Sequence, residues 1–316
     1  MLKNRLRACA AAVLTLALTA CGGTTDLLEG VPSFPVDAPQ VALVSPGDNP
    51  QMLAYQDAEE PWEANVVVSG GVAQAAAPKD DANFDATAPA GGDVMETDLT
   101  LTVTSGPARA PQDGEEDAAR EVELITRGGG HTDLDLGLQV AGNDGFTMRW
   151  RAAESGAVQS VKMLPPVDSP EAGREVVERA LLSVMNSTVV FPKEPVGVGG
   201  QWTVTTRVTG DAAMVRTTTY TVREINGSDV HLDVDIEESP TQKELRIDNE
   251  VAGDLDGAML SVESTSTTST GELTVDLTKP LPTGGRIAAT TRLVYAGEDT
   301  QFRIVQDVTN AVTYGK

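Results

Sequence analysis

The sequence is short of most residues that carry catalysis. Its 316 residues include two cysteines, Cys9 and Cys21, and two histidines, His131 and His231. If Cys9 is removed with a leader, as the start of the chain suggests, a lone cysteine remains, which cannot make a structural zinc site, commonly built on several Cys or His side chains. Aromatic residues make up 4% of the chain, so stacked platforms for sugar rings are not favoured. Basic residues number 23 against 47 acidic ones, a formal charge of −24. Such a surface repels nucleic acid and anionic lipid headgroups at long range, so no nucleic-acid partner is expected. No apolar run reaches the roughly 20 residues that a spanning helix needs. The Gly-x-Ser-x-Gly elbow of serine hydrolases is absent. Gly197-Val198-Gly199-Gly200 lacks the Lys-Ser/Thr ending of a phosphate loop and precedes a strand pattern rather than a helix. Asp254-Leu255-Asp256-Gly257 is too short for a calcium loop of the EF-hand type. No cofactor, metal site or enzymatic activity is expected.

What the chain does have begins at its start. Lys3, Arg5 and Arg7 precede the apolar stretch from Ala8 to Ala17, a charged region and a short hydrophobic region as in a secretory signal. Leu18, Thr19, Ala20 and Cys21 follow. This segment resembles the lipobox of bacterial lipoproteins, with leucine first and small residues before the cysteine. The resemblance implies that residues 1–20 are a signal peptide. It also implies that Cys21 is the lipidation site, bearing a diacylglycerol on its sulfur with acyl chains such as palmitate. Two or three acyl chains anchor firmly where one is marginal, at about 0.8 kcal/mol per buried CH₂. Cys9 would leave with the signal and Cys21 would have no partner, which excludes an internal disulfide. Loss of Lys3, Arg5 and Arg7 would take the formal charge to about −27. The expected location is the cell envelope, lipid-anchored to a membrane and facing away from the cytoplasm. Gly22, in place of Asp after the cysteine, does not force retention at an inner membrane.

Residues 21–50 are rich in Gly, Pro, Thr and Asp and read as a flexible tether. Residues 51–316 are then expected to form a single β-rich domain. Polar stretches at 75–92 and 106–118 read as exposed loops. Elsewhere the hydrophobic period is two. Leu134, Leu136, Leu138 and Val140 alternate with Asp133, Asp135, Gly137 and Gln139 as in a strand. An Asn143-Asp144-Gly145 turn separates them from Phe146, Met148 and Trp150, and Glu154-Ser155-Gly156 makes another turn before residues 158–164. Trp202, Val204, Thr206 and Val208 share one strand face. Residues 214–225 lead through Asn226-Gly227, a strong short hairpin signal, into Val230, Leu232, Val234 and Ile236. Residues 273–277, 287–295 and 302–312 alternate likewise. The spacing predicts a mainly β (α+β) fold: a large curved antiparallel sheet or half-open barrel of roughly ten to twelve strands with one main amphipathic helix.

That helix is predicted over 170–186, with Ser169 as its N-cap and Pro170 at the first helical position. Val176, Val177, Ala180, Leu181, Val184 and Met185 fall on one stripe. Arg174 with Glu178, and Glu175 with Arg179, can pair on the other side. The stripe is expected to pack on the strand faces. A sharper expectation is that Val177, Leu181, Val184 and Met185, with Trp202, line a cavity for an apolar ligand, since larger curved sheets can enclose one. The stretches FPKEPVGVGGQWTV from Phe191 and GELTVDLTKPLPTGG from Gly271 resemble a domain-of-unknown-function family of envelope lipoproteins, over roughly residues 120–316. In architecture, the lipobox, tether, long antiparallel sheet and helix are together similar to lipoprotein carriers of the LolA and LppX type. Those are half-open barrels whose concave face holds acyl chains, and the likeness implies a lipid-binding role.

Both histidines occur in the pattern H-x-D-x-D: His131, Asp133 and Asp135, then His231, Asp233 and Asp235. On a strand each triplet would present one imidazole and two carboxylates on one side, donors that a divalent metal could use. Leu134, Leu136, Val234 and Ile236 would hold the other side, so the expectation is a wet face without metal. Two functions from different classes follow. One is a non-enzymatic lipoprotein that binds a lipid or other apolar ligand. The other is a structural or interaction protein of the envelope with no small-molecule ligand. A cavity lined by apolar strand faces favours the first, and a solid core with an exposed apolar patch favours the second.

Overall fold

The computed structural model describes residues 26–58, 60–112, 114–208, 214–246, 259–298 and 300–315. Two compact units divide the chain, Met1–Gly30 and Val31–Lys316. In the first, the described residues form a turn in which the Asp26 carboxylate accepts the Leu28 N–H. The signal segment, Cys9 and Cys21 lie outside the described residues.

The second unit opens with three short strands, β1 (Phe34–Pro35), β2 (Gln40–Ser45) and β3 (Asp48–Gln51). Long strands β4 (Trp62–Pro78), β5 (Met95–Pro107) and β6 (Arg120–His131) precede helix α1 (Leu134–Ala141). Strands β7 (Thr147–Ala152) and β8 (Val158–Leu164) lead to helix α2 (Glu171–Asn186). Then come β9 (Val196–Val198), β10 (Gln201–Val208), β11 (Met214–Asn226), β12 (Asp229–Pro240) and β13 (Glu244–Arg246). Three long strands end the chain: β14 (Met259–Asp276), β15 (Gly284–Ala296) and β16 (Phe302–Tyr314).

One antiparallel sheet runs β1-β8-β7-β6-β5-β4-β16-β15-β14-β12-β11-β10-β2, with β13 beside β14. The path holds thirteen strands and does not close into a barrel. The chain nonetheless constrains its two edges. β1 and β2 sit at opposite ends of the path, yet only Val36–Pro39 separates them in sequence. Thirteen strands laid flat at about 4.8 Å spacing would put the edges about 60 Å apart. The link from Pro35 to Gln40 spans at most about 19 Å at 3.8 Å per Cα step. The sheet therefore curls until its edges nearly meet. Proline sits at or beside both edge strands, at Pro35, Pro39 and Pro46, where its missing N–H discourages further strand pairing.

The inner face carries the main core. Buried residues from β4 to β8, from α2 and from β10 to β16 form one cluster that includes Leu101, Leu124, Met148, Trp150, Leu181 and Trp202. A second, smaller cluster gathers Met214, Leu260, Leu293, Tyr295 and Ile304. The hairpin between β11 and β12 forms as expected. Its two-residue loop is Gly227-Ser228, and Gly227 takes φ +63°, the place a type II′ turn reserves for glycine.

Several sequence expectations need correction. The alternation at residues 134–140 is a helix, not a strand. Asp133 is its N-cap, and its carboxylate accepts the N–H groups of Asp135 and Leu136. Over so few residues, a spacing that fits period two can also leave Leu136 and Val140 on one helical face. Residues 34–51 are not tether but the three short strands. Their prolines and glycines serve edges and close contacts; a Cβ on Gly197 would lie 1.9 Å from the Asp48 carbonyl oxygen where β3 meets β9. The stretch at 75–92 begins inside β4 and then lies over the outer face of β14–β16. Thr268 donates to the Ala88 carbonyl at 2.7 Å, and Arg292 to that of Asp85 at 2.7 Å. The sheet also exceeds the predicted strand count, because β1 and β2 were not legible as strands.

Candidate functional site

Helix α2 occupies the concave face. Pro170, not Ser169, is its N-cap, since φ −60° with an extended ψ places it just outside the first turn. The Ser169 hydroxyl has no partner there. Val177, Ala180, Leu181, Val184 and Met185 are buried as the stripe implies. Arg174 donates to the Ser169 carbonyl at 3.0 Å.

Three buried donors tie down the chain that follows the helix. The Tyr314 hydroxyl meets the Ser187 hydroxyl at 2.5 Å, and Ser187 donates to the Val184 carbonyl at 2.9 Å. Tyr55 donates to the Val189 carbonyl at 3.0 Å, and the Trp202 indole N–H to that of Val190 at 2.8 Å. The rings of Tyr55, Phe191, Trp202 and Tyr220 form a continuous row, with centroids 5.4, 5.9 and 5.2 Å apart. Burial pushes the Tyr55 phenol up to about 12, although the Arg120 guanidinium over its ring opposes the rise. Burial also raises Tyr220 and Tyr314. These phenols are neutral at any ordinary pH and stay available as donors.

The space beside this arrangement is small. A cavity of ≈ 60 Å³ lies under the Val36–Pro39 link, between Val158 of β8 and Val204 of β10. Of the five side chains expected to line a ligand cavity, Met185 alone borders it. Val177, Leu181, Val184 and Trp202 are packed into the core, each at most 1% exposed. For comparison, an apolar cavity of about 150 Å³ accepts one benzene.

The two H-x-D-x-D triplets part company. His131 ends β6, and its ring nitrogen accepts the Asp133 N–H at 3.0 Å, while Asp133 caps α1. His231, Asp233 and Asp235 do share a strand face, on β12. There His231 meets the Thr274 hydroxyl, Asp233 pairs with Arg223, and Asp235 accepts from Ser269. Among the described residues no group of three or more His, Cys, Asp or Glu side chains could hold a metal ion.

The outer face of β6–β8 holds a charged assembly that the sequence reading missed. Glu123, Arg149 and Lys162 lie side by side across three strands, with Glu121 and Arg151 beside them. Arg149 pairs with Glu123. The loop from Ala108 to Ala119 crosses this row. Its Glu115 carboxylate reaches Lys162 at 2.9 Å and Arg151 at 3.4 Å, and Lys162 also donates to Gln112 at 2.7 Å. Arg151 donates to the Arg109 and Glu116 carbonyls. Burial pushes Glu115 up. The Gln112 N–H, Lys162 and Arg151 pull it down further, so its carboxyl sits below the usual range. A signal for this row was present: Glu121-x-Glu123 on one strand and Arg149-x-Arg151 on the next alternate in step. Nothing in the sequence marked Glu115 as their partner, nor Tyr55 and Tyr314 as the clamp on α2.

Residues 178–282 match the model of DUF6263, a family of unknown function. The match runs from the second half of α2 to just past β14, and so includes Leu181, Val184, Met185 and Trp202. It covers roughly a third of the chain. No curated protein matches the chain.

Proposed function

We propose that the chain is a lipid-anchored protein of the cell envelope, without catalytic activity, whose β scaffold works through its outer surface. The observation that carries this reading is the filling of the concave face. Helix α2 and the clamped segment after it occupy the place where a half-open barrel would hold acyl chains, and the cavity beside them is ≈ 60 Å³. An acyl chain needs several times that. Withdrawing α2 would expose Val177, Leu181, Val184 and Met185 at about 1.5–3 kcal/mol each. The anchor rests on the lipobox from Leu18 to Cys21.

Carriage of a lipid or other apolar ligand is the second reading, and one observation favours it. The cavity lies beneath the single covalent link between two sheet edges that are otherwise unpaired. Movement of that link would enlarge the space without removing α2.

Organic-solvent extraction of the full acylated chain, followed by mass spectrometry, separates the two. Surface action expects acyl groups on Cys21 and no stoichiometric free lipid, whereas stoichiometric lipid transfers the case to carriage. Cys21→Ala is expected to move the protein out of the membrane fraction. Unchanged membrane association of that variant would refute the anchor.

A further inference from the structure

Helix α1 is apolar on both sides. Val140 faces the core, while Leu134 and Leu138, one turn apart, are 82% and 78% exposed. The face continues to Gly142, where a Cβ would lie 3.0 Å from the Pro170 ring. Three residues before that proline, Val167 is 91% exposed. At the start of the helix the Thr132 hydroxyl contacts the Met95 sulfur, and Met95 is also exposed. These four exposed apolar side chains lie at one end of the sheet, where β5 begins, β6 ends, β7 begins and β8 ends.

The chain enters the domain at that same end. Phe34 pairs with Val161 in antiparallel register, so Val31 to Ser33 run toward Leu164 at the end of β8. Ten residues separate Val31 from Cys21, a reach of at most about 35 Å. With the anchor reading granted, on which this inference rests, these side chains and the tether leave the domain together, close to the bilayer. Asp133, Asp135 and Asp168 adjoin them in sequence. The two bases nearest to Val167 in sequence are engaged elsewhere, Lys162 with Glu115 and Gln112 and Arg174 with the Ser169 carbonyl.

We propose that these side chains form one membrane-orienting patch. Leu134, Leu138 and Val167 rest at the interface of the bilayer that holds the anchor. The acidic border selects zwitterionic over anionic headgroups, because like charges repel at this range. The patch sets the domain's orientation, and the acyl chains supply the affinity.

The acylated chain has its one mature cysteine blocked, so Leu138→Cys introduces a single reactive thiol for a nitroxide label. Glu154→Cys, in the turn at the other end of β7, is the control. In phosphatidylcholine vesicles the label at position 138 is expected to lose several-fold accessibility to a water-soluble nickel complex and to gain accessibility to dissolved oxygen. The label at position 154 is expected to show no change. Replacing phosphatidylcholine by phosphatidylglycerol at low salt is expected to remove the difference. Val167→Cys provides a second reporter on a loop, should the helix variant fold poorly. Equal nickel accessibility at 138 and 154, with the protein still on the vesicles, overturns the proposal. So does protection seen on native membranes but not on protein-free vesicles, which would assign the patch to a protein partner. Failure of the anchor reading looks different: Cys21 carries no acyl group and the protein does not float with the vesicles.

Discussion

One face of β15 reads Ile287, Ala289, Thr291, Leu293, Tyr295, and it passes through two regions that hold together differently. Ile287 and Ala289 belong to the large cluster around α2, while Leu293 and Tyr295 belong to the five-residue cluster at the far end. Between them the inner face turns polar. Thr291 donates to the Glu238 carboxylate at 2.7 Å, Arg216 donates to the same carboxylate at 2.7 Å, and Thr267 meets Thr291 at 3.1 Å. Near α2 a helix fills the space and the strands need only supply apolar side chains. Beyond the helix, Val72 on the same face of β4 is 42% exposed. There the backbone ladder itself thins. β12 and β14 pair only from Asp229 to Asp233, and past that point side-chain hydroxyls take over. The Ile236 N–H donates to Ser269 at 2.9 Å and the Glu238 N–H to Thr267 at 3.1 Å. The Ser/Thr run of β14 substitutes for the missing carbonyl acceptors of a neighbouring strand.

The largest expected effect breaks the comparison at its apolar end. Leu181→Ala removes a fully buried side chain from the middle of the filled region and should cost about 3–5 kcal/mol in chemical unfolding. Leu293→Ala, in the small cluster, should cost nearer 2 kcal/mol, because the surroundings can collapse or admit water. Hydrogen exchange should then show loss of protection confined to the ends of β14–β16 for Leu293→Ala and spread across all strands for Leu181→Ala. Identical global patterns would mean the two regions unfold as one unit.

A smaller effect tests the polar region. Thr267→Val keeps the shape but strands the Glu238 N–H, at an expected cost of about 1–2 kcal/mol. The equivalent change at Thr268, whose hydroxyl contacts the Ala88 carbonyl on the outer face, should cost less, since that carbonyl has easier access to water. Equal losses in urea titrations of the two variants would remove the special role given to the hydroxyls of the Thr267 row.

The two regions were also unequally legible in the sequence. Strands beside α2 carry large apolar residues at every second position, as in Val230-x-Leu232-x-Val234-x-Ile236, and α2 shows an unbroken stripe. Helix α2 was readable to within a residue, and β12 was readable at its start, although it runs four residues past Ile236 to Pro240. The polar half of β14, Ser264 to Thr270, has no hydrophobic period, so only its end at Leu273 and Val275 was visible. Helix α1 was misread because a cap by Asp133 depends on one side-chain geometry that spacing does not encode. The edge strands were invisible for another reason: β1 is two residues long and its role comes from the curl of the whole sheet. For the candidate site, burial of the α2 stripe and Trp202 was readable, but whether buried residues enclose a space depends on packing across elements far apart in sequence.

The smallest expected effect sharpens the comparison with pH. Glu115 on the loop over β6–β8 has its carboxyl held below the ordinary value of 4.5 by the Gln112 N–H, Lys162 and Arg151, which outweigh burial. A lowered folded value means the contribution is fully present above the unfolded value. It is lost as the pH falls through the lower, folded one. The charged groups facing Glu115 are cations on β7 and β8, and neither Lys nor Arg titrates in that window. The loop from Ala108 to Ala119 should therefore hold its amide protection above pH 5 and lose part of it on further acidification, by less than about 1 kcal/mol after solvent screening. Glu115→Gln should show the weakened protection already at neutral pH, with a flatter acid response. Lys162 would keep its bond to Gln112 and Arg151 its carbonyl partners, which keeps the loss small. Amides of α2, whose inner face is packed by apolar side chains, should hold their protection across the same range. If α2 loosens together with the loop, the charged outer face and the apolar interior are coupled. The contrast between polar and apolar cohesion would then be one of composition, not of independent stability.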